Sequence, residues 1–284
     1  MGQSVRSINQ QILGMNGPDN LIFQTIPAIA LIDVTRFVPG QSDPLNFTSE
    51  PLATGRLGIF AAEKDGVERA VIMLLPQSGT PDTLLICITQ GFAQAAQNLE
   101  PLHWSNPLSP EFIRFALLKH VINRWGAQML ASHRNMALMY ILRSRGNELG
   151  PFARDGNFLR FVLDEIASST GDSFTYPQVE AFTFSSGIYE FNNFITGVSG
   201  SVNITAVYAI DPVHSTVPTA PQGARRRQYA SGTAGPLLPS FERLPLGRWQ
   251  NEDEYNTPKR NDVFQYLHNK CMPMYVLYLA LRTP

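Results

Sequence analysis

The sequence predicts an α/β fold, in which a mostly parallel central sheet carries helices on both faces and antiparallel strands come first. The first observation is that the apolar runs Leu57–Ala62 and Arg69–Leu75 flank the turn residues Lys64-Asp65-Gly66. An Asp-Gly pair between two such runs favours a β-hairpin. The second observation is that short apolar runs alternate with amphipathic helical segments between Thr83 and Ile210. This alternation is typical of a parallel sheet that is covered on both faces.

The region before the hairpin is predicted to contain little regular structure. Residues 1–20 are polar and rich in glycine and asparagine, so we expect a flexible N-terminal arm. Ala28–Phe37 is an apolar run that predicts a first strand, and Pro39–Thr54 has the composition of a loop. We expect residues 21–284 to form a single domain.

Four strands and two long helices are predicted in alternation after the hairpin. The first strand is apolar throughout, as expected where both faces are buried. Ser109-Pro110 supplies an N-cap and a first-turn proline for the helix that follows. We expect the four strands to be parallel neighbours, with the helices packed on the faces of the sheet. The predicted strands are Thr83–Ile88, Met136–Leu142, Val179–Phe184 and Thr205–Ile210, and the predicted helices are 110–130 and 157–168.

The C-terminal part is predicted to be a long loop followed by two short elements. Residues 214–258 are rich in proline and glycine and show little periodicity, so we expect a loop or lid. The basic run Arg225-Arg226-Arg227 lies in this stretch, and we interpret it as solvated. Asn261–Asn269 has the pattern of a short helix, and Met274–Leu281 is predicted to be one more strand.

Composition and charge narrow the classes of function. The 284-residue chain is 44% hydrophobic and 16% charged, with a formal net charge of −1. This balance argues against a nucleic-acid partner and against a basic membrane-binding face. The N-terminus lacks the apolar core of a secretion signal, and every uninterrupted apolar run is shorter than the roughly 18 residues of a membrane span. We therefore expect a soluble, cytoplasmic protein.

The cysteine and histidine positions predict neither a metal site nor a disulfide framework. The two cysteines are Cys87 and Cys271, and no Cys/His spacing suits zinc. Cys87 lies inside an apolar strand, where we expect a buried free thiol. No cofactor is expected.

The stretch Tyr176–Val213 carries the strongest indication of function. An apolar run, Val179–Phe184, ends at a serine turn, and a segment with helical spacing follows at once. The sequence Thr183-Phe184-Ser185-Ser186-Gly187 fits Gly-x-Ser-x-Gly with threonine in place of the first glycine. A serine on a tight turn between a strand and a helix is how an α/β-hydrolase exposes its nucleophile. From Leu57 to Pro212, the chain resembles the α/β-hydrolase superfamily in element order and short motifs.

This resemblance implies roles for several residues. Ser185 is the implied nucleophile, and the backbone N–H groups of Ser186 and Phe92 are the implied oxyanion donors. Phe92 ends the sequence Thr89-Gln90-Gly91-Phe92, where relatives often have His-Gly. Asp211 directly follows the next predicted strand, Thr205–Ile210, and is the implied acid. The structural alternatives are a helix-capping serine, an ordinary glycine turn and an Asp-Pro turn.

The base has several candidates. In the superfamily the histidine follows the last strand, but no histidine follows Met274–Leu281. We prefer His214, three residues after Asp211, with His268 and His103 as the other candidates. The histidines in or just after the long helix, which we interpret as structural, are His120 and His133. A chain without a resident base is the remaining alternative.

The resemblance therefore predicts a serine hydrolase that acts on an ester or related acyl substrate, a small molecule. The alternative is a catalytically inactive member that serves as a binding or interaction scaffold. A doubly wound protein that binds an anion at a helix start is less well supported, because the chain has no Gly-x-Gly-x-x-Gly or Walker-type loop.

Overall fold

An extended mixed sheet determines where the other elements lie. The computed structural model describes residues 2–13, 22–24, 30–32, 47–49, 55–76, 80–89, 106, 108–143, 149–170, 178–212, 218–229, 276–277 and 280–281. The strands are β1 (Gln3–Ser7), β2 (Ile22–Gln24), β3 (Ala30–Ile32), β4 (Phe47–Ser49), β5 (Gly55–Lys64), β6 (Val67–Pro76), β7 (Thr83–Thr89), β8 (Met136–Ile141), β9 (Gln178–Phe184), β10 (Ile204–Ile210) and β11 (Arg225–Tyr229). The main sheet has the order β1-β5-β6-β8-β7-β9-β10-β11, and β2 also pairs with β5.

One half of the sheet is parallel. β7 pairs in parallel with β8 on one side and with β9 on the other, and β9 pairs in parallel with β10. Every residue of β7 and β8 is buried, as expected for strands that are covered on both faces. The predicted arrangement of four parallel neighbours is confirmed, but the sheet as a whole is only partly parallel and not mostly parallel as predicted.

The other half is antiparallel and begins with the predicted hairpin. β5 and β6 pair over their full lengths, and β6 then pairs antiparallel with β8, so β6 connects the two halves. Asp65 and Gly66 have positive φ angles of 53° and 81°. Two positive φ angles are the type I′ geometry that an Asp-Gly turn favours, and the hairpin prediction is confirmed.

Helices cover both faces of the sheet. They are α1 (Asn9–Leu13), α2 (Pro110–Ala116), α3 (Gly126–Ala131), α4 (Gly156–Thr170) and α5 (Ile188–Val198), with a π-helical segment, Leu117–Trp125, between α2 and α3. On one face, Trp125 of the π-helical segment packs on Phe182 with 5.0 Å between ring centroids. On the other face, α4 buries Phe158. The predicted helices 110–130 and 157–168 are confirmed, although the middle of the first is π-helical.

The N-terminal segment belongs to the folded sheet. β1 pairs antiparallel with β5 at one end of the strand order, and Ile8 and Ile12 are buried in the core. The prediction of a flexible arm over residues 1–20 is therefore wrong for residues 3–13. An end strand can be mostly polar, because it leaves much of its surface to solvent, and β1 has exposed or half-buried residues throughout.

The predicted loop 214–258 contains a strand. Arg225–Tyr229 pairs in parallel with β10, so the loop prediction is wrong over this stretch. The arginine run is also not simply solvated, because each guanidinium donates to an acceptor within the protein. These acceptors are the Tyr208 hydroxyl for Arg225, the Ala220 carbonyl for Arg226 and the Ala280 carbonyl for Arg227. Arginine side chains can pack their stems and satisfy their heads internally, which composition alone does not reveal.

Two further predictions change in detail. The predicted strand Ala28–Phe37 is a strand over Ala30–Ile32, but this segment pairs with Phe47–Ser49 and not with the main sheet. The loop prediction for Pro39–Thr54 is therefore wrong at Phe47–Ser49. Both strands have three residues, and pairing this short is decided by tertiary contacts.

The C-terminal apolar run is helical where it is described. The residues of Met274–Leu281 that have helical backbone and are buried are Val276, Leu277, Ala280 and Leu281. The strand prediction is wrong at these residues, because a short run that is apolar on all sides has no periodicity to separate a strand from a buried helix. The predicted helix Asn261–Asn269 lies outside the described residues.

A buried charge network ties together the elements near the amino ends of the parallel strands. Arg134 donates two hydrogen bonds to the Glu180 carboxylate, at 2.9 and 2.7 Å. The Tyr208 hydroxyl donates to the same carboxylate at 2.8 Å, and Arg225 donates to that hydroxyl oxygen at 2.6 Å. Burial lowers the pKa of Arg134, but the hydrogen bonds and attraction of Glu180 outweigh it and raise this pKa overall. The network is structural, since it lies at the edge of the sheet opposite the strand ends discussed below.

We expect Glu180→Gln to lower the free energy of unfolding by about 2 to 4 kcal/mol, because it leaves a partly buried guanidinium without its counter-charge. Urea denaturation followed by circular dichroism measures this change. The control is Glu68→Gln, which breaks the more exposed pair between Arg6 and Glu68 and should change stability by less than about 1 kcal/mol. Equal effects from the two variants would contradict a stabilising role for the buried network.

Candidate active site

The carboxyl ends of four parallel strands lie level at one edge of the sheet. Thr89, the last residue of β7, is paired with Phe184 of β9. Phe184 is paired with Ile210 of β10, which is paired with Tyr229 of β11. Ser185 and Asp211 each follow these level positions directly. Because adjacent strands are about 5 Å apart, the backbones of Ser185 and Asp211 are neighbours.

The backbone at Ser185 is strained. Its φ angle is +54°, in the left-handed region, although serine has a Cβ. Ser185–Gly187 forms one 3-10 turn, in which Ile188 N–H donates to the Ser185 carbonyl, and α5 begins at Ile188. Left-handed backbone costs a non-glycine residue roughly 1–2 kcal/mol and is found at functional sites, where the surrounding structure enforces it.

Gly187 allows the serine turn to lie directly against the end of β7. A Cβ at this position would come within 2.7 Å of the Ile88 carbonyl oxygen and 2.9 Å of the Thr89 carbonyl carbon. It would also lie 2.8 Å from the Thr183 side-chain oxygen. A residue with any side chain would therefore push the turn away from β7.

Thr183 replaces the first glycine of the motif without disturbing the turn. It is fully buried and lies in the extended β9 strand, where a side chain is compatible with the backbone. Its hydroxyl occupies the space beside Gly187 and makes no hydrogen bond within the described residues. The Thr183 side chain thus fits because Gly187 has no side chain.

Asp211 has a second left-handed backbone conformation at the same edge. Its φ angle is +43°, it is 3% exposed, and its N–H donates to the Tyr229 carbonyl oxygen at 2.6 Å. This bond ties the end of β10 to the end of β11. Ser185 and Asp211 are therefore buried neighbours at strand ends, both with left-handed backbone, which is uncommon for serine and more readily adopted by aspartate.

The implied oxyanion donors are described in part. Ser186 is the second residue of the serine turn and is half-buried. N–H groups in the first turn of a helix have no acceptor within that helix and favour negative charge. Phe92 lies outside the described residues, as do Gln90 and Gly91.

The structure describes two of the five histidines. His120 is buried, and its ring stacks on Tyr140 with 5.9 Å between centroids. His133 lies three residues before β8, at the amino edge of the sheet, and so is far from Ser185. The candidate bases that lie outside the described residues are His214, His268 and His103.

Three residues near the serine turn were not singled out from the sequence. Thr89 and Tyr140 are buried and joined by a hydrogen bond of 3.1 Å between their hydroxyls. Arg143 follows the end of β8 and is 5% exposed. Burial lowers the pKa of Arg143 to about 10, against the attraction of Tyr140, Glu190 and Cys87. In the sequence, these residues could have been recognised as polar groups within, or directly after, otherwise apolar strands.

A separate cavity of about 500 Å³ lies beside the hairpin turn and α5. Its walls carry both signs of charge, and Lys64 and Asp155 form an ion pair within it. The lining residues are Lys64, Asp65, Val67, Arg69, Gly150, Pro151, Ala153, Arg154, Asp155, Glu190 and Asn193. Neither Ser185 nor Asp211 lines this cavity, so it is distinct from the serine turn.

Three further observations concern Cys87, clusters of metal-ligating side chains and long apolar helices. Cys87 is buried as a free thiol, as predicted. Among the described residues, no three potential metal ligands cluster together. In that same part of the chain, no helix combines the length and apolar character that crossing a bilayer would require.

Comparison with known proteins finds only distant structural likenesses. No protein-family model and no curated protein matches the sequence. Among solved structures, the chain is similar to an arylesterase, with 12% identity, a TM-score of 0.35 and coverage of 61% of this chain and 49% of that one. It is also similar to the rice cell wall degrading esterase LipA from Xanthomonas oryzae, with 11% identity, a TM-score of 0.36 and coverage of 56% and 43%.

Fungal esterases from Rhizomucor miehei give a further match, with 14% identity, a TM-score of 0.34 and coverage of 58% of this chain and 46% of that chain. This chain thus spans less than half the length of each of these three structures. At such TM-scores the likenesses decide neither the fold nor the chemistry. The strand order defines the fold, and the serine turn is the feature that bears on the chemistry.

We expect Gly187→Ala to lower the free energy of unfolding by about 1–3 kcal/mol, because the new methyl group meets the backbone of β7. The matched control is Gly200→Ala. Nothing lies within 4 Å of a Cβ at Gly200, so this change should be close to neutral. Thermal or urea denaturation of both variants measures the difference. Equal stability of the two variants would contradict the close approach of the turn to β7.

Proposed function

We propose that the protein is a serine hydrolase that cleaves an ester or related acyl substrate through Ser185. The observation that carries this proposal is the left-handed backbone of Ser185 at a buried strand-to-helix turn, beside Asp211 at the next strand end. Strain at such a turn is typical of the nucleophile elbow, in which the serine hydroxyl is presented at the carboxyl edge of the sheet. A helix-capping serine needs no left-handed backbone, because N-cap residues are extended.

The proposed reaction has two halves. Ser185 Oγ forms a bond to the acyl carbon while His214 accepts its proton, and the carbonyl oxygen becomes an oxyanion. The C–O bond to the leaving alcohol then breaks, and the alcohol takes the proton from His214. A water molecule attacks the acyl-enzyme in the same way, so that the carboxylic acid is released and Ser185 regains its proton.

The other residues act on charge and orientation in this proposal. The N–H groups of Ser186 and Phe92 stabilise the oxyanion, which develops only as the acyl carbon becomes tetrahedral. Asp211 orients the histidine and stabilises its protonated form. These roles need no metal or organic cofactor.

A catalytically inactive scaffold is the second candidate. The observation that favours it is the burial of Ser185, which is 2% exposed. A substrate reaches this side chain only if the segments around it leave or open a path. The scaffold therefore predicts a folded wild-type protein that reacts with no acyl probe.

We expect Ser185→Ala to abolish both labelling by a fluorophosphonate probe and hydrolysis of p-nitrophenyl esters, with little change in melting temperature. The reason is that this variant removes the nucleophilic oxygen and keeps the fold. The matched control is Ser186→Ala, which removes the neighbouring hydroxyl but keeps the backbone N–H, and should retain activity within about threefold. Mass spectrometry of the labelled peptide identifies the modified serine. A folded wild type that is unlabelled and inert toward several acyl chain lengths would replace the hydrolase with the scaffold.

The base is tested by separate histidine variants. We expect His214→Ala to lower ester turnover at least about a hundredfold, and His268→Ala to lower it less than about tenfold, because loss of a base prevents proton removal from the serine. Steady-state kinetics of both variants measure this ranking. The opposite ranking would assign the base to His268, and small equal effects in an active protein would move the role to His103.

A further inference from the structure

We propose that Tyr140 is a positioning residue for the serine turn: its hydrogen bond to Thr89 holds the end of β7 against Gly187 and so keeps Ser185 in its reactive geometry. This inference rests on the proposed function of Ser185. It adds a residue from the opposite side of β7 that does not touch the substrate.

The end of β7 supports the serine turn. The turn meets β7 through Gly187, where an added Cβ would collide with the backbone of Ile88 and Thr89. Upstream of the turn, Phe184 is paired with Thr89 in the sheet. The backbone of Thr89 therefore borders the turn both through strand pairing and through packing. A displacement of Thr89 must displace the turn or open a gap beside it.

Tyr140 holds Thr89 from the other side of β7. Successive strand residues point to opposite faces, so Thr89 lies on the same face as Cys87, which is the face covered by α2, the π-helical segment and α3. Tyr140 is paired with Cys87 across the β7–β8 pairing and lies on that face too. Its hydroxyl reaches two residues further along β7, to the next residue on that face, and lies 3.1 Å from the Thr89 hydroxyl.

Tyr140 is itself held in place by burial and by ring stacking. It is 3% exposed, and the His120 ring stacks on it with 5.9 Å between centroids and 16° between ring planes. His120 lies in the π-helical segment, Leu117–Trp125. π-helical geometry is rare and is often found at functional sites, because it changes which side chains of a helix face its neighbour. The contacts thus run from the π-helical segment through Tyr140 and Thr89 to the serine turn.

This hydrogen bond bears on catalysis through the backbone conformation of Ser185. Left-handed backbone at Ser185 persists only while its surroundings enforce it. A misplacement of about 1 Å at a nucleophile can lower turnover as much as a hundredfold. The Tyr140–Thr89 bond does not touch the turn directly but acts on it through the backbone of Thr89. We therefore expect loss of this bond to loosen the turn without abolishing it. A decrease in kcat of about tenfold follows, with KM changed less than about twofold, since no group that binds substrate is removed.

The experiment compares Tyr140→Phe and Thr89→Val, which each remove one hydroxyl and keep nearly the same volume. We expect both variants to lower kcat and the rate of fluorophosphonate labelling by about tenfold. The double variant should lose no more than either single variant, because all three remove the same bond. Thr89→Ser keeps the hydroxyl and should restore nearly full activity.

The matched control is Tyr208→Phe. Tyr208 is a buried tyrosine on the same face of the sheet, but its hydroxyl donates to Glu180 in the charge network. This variant should lower the melting temperature and leave kcat unchanged. A loss of kcat that merely follows lost stability would appear in Tyr208→Phe as well, and would overturn the inference.

The outcomes separate this inference from the proposed function. A labelled, active wild type together with unchanged kcat in Tyr140→Phe and Thr89→Val overturns the inference alone. Additive losses in the double variant also overturn it, because they assign the two residues independent roles. An unlabelled and inert wild type overturns both the inference and the proposed function.

Discussion

The candidate site depends on the close contact between the serine turn and the end of β7. This contact requires glycine at 187, which lies one residue before the start of α5 and two residues after Ser185 with its left-handed backbone. It is possible because β7, β9 and β10 are parallel and end level with one another. Strand pairing that was shifted by one residue would turn Thr89 to the other face of the sheet and separate it from Tyr140.

The two edges of the parallel sheet have different physical roles. Near the amino edge, Glu180 is fully paired by Arg134 and Tyr208, so its buried charge is compensated. At the carboxyl edge, Ser185 and Asp211 have left-handed backbone, which is unfavourable for serine and more readily adopted by aspartate. Local strain of this kind persists where the rest of the fold is stable enough to enforce it.

The departure from the serine motif has a steric explanation. A glycine two residues before the nucleophile usually gives the turn room, and this chain has Thr183 there. The space for its side chain comes from the missing side chain of Gly187, since a Cβ at 187 would lie 2.8 Å from the Thr183 oxygen. The turn therefore gains its space from glycine at position 187 alone, and glycine is not needed at position 183.

The sequence by itself determined the elements that have strong patterns: the Asp65-Gly66 hairpin, the four buried parallel strands and the serine turn between β9 and α5. These follow from local properties, namely turn chemistry and runs of apolar residues. The sequence prediction was wrong for three segments. These are the polar β1 strand, the arginine-containing β11 strand and the helical residues near Val276. Their conformations depend on pairing or packing with distant segments, which composition does not encode.

The same division holds for the candidate site. The positions of Ser185 and Asp211 at neighbouring strand ends could be expected from the order of strands along the chain. Their left-handed backbone, the contact of Gly187 with β7 and the bond between Thr89 and Tyr140 were decided only by the tertiary structure. The contact of Gly187 and the bond of Thr89 each join segments that are distant in sequence, and the separation of those segments in space is set by the whole sheet and not by any local run of sequence.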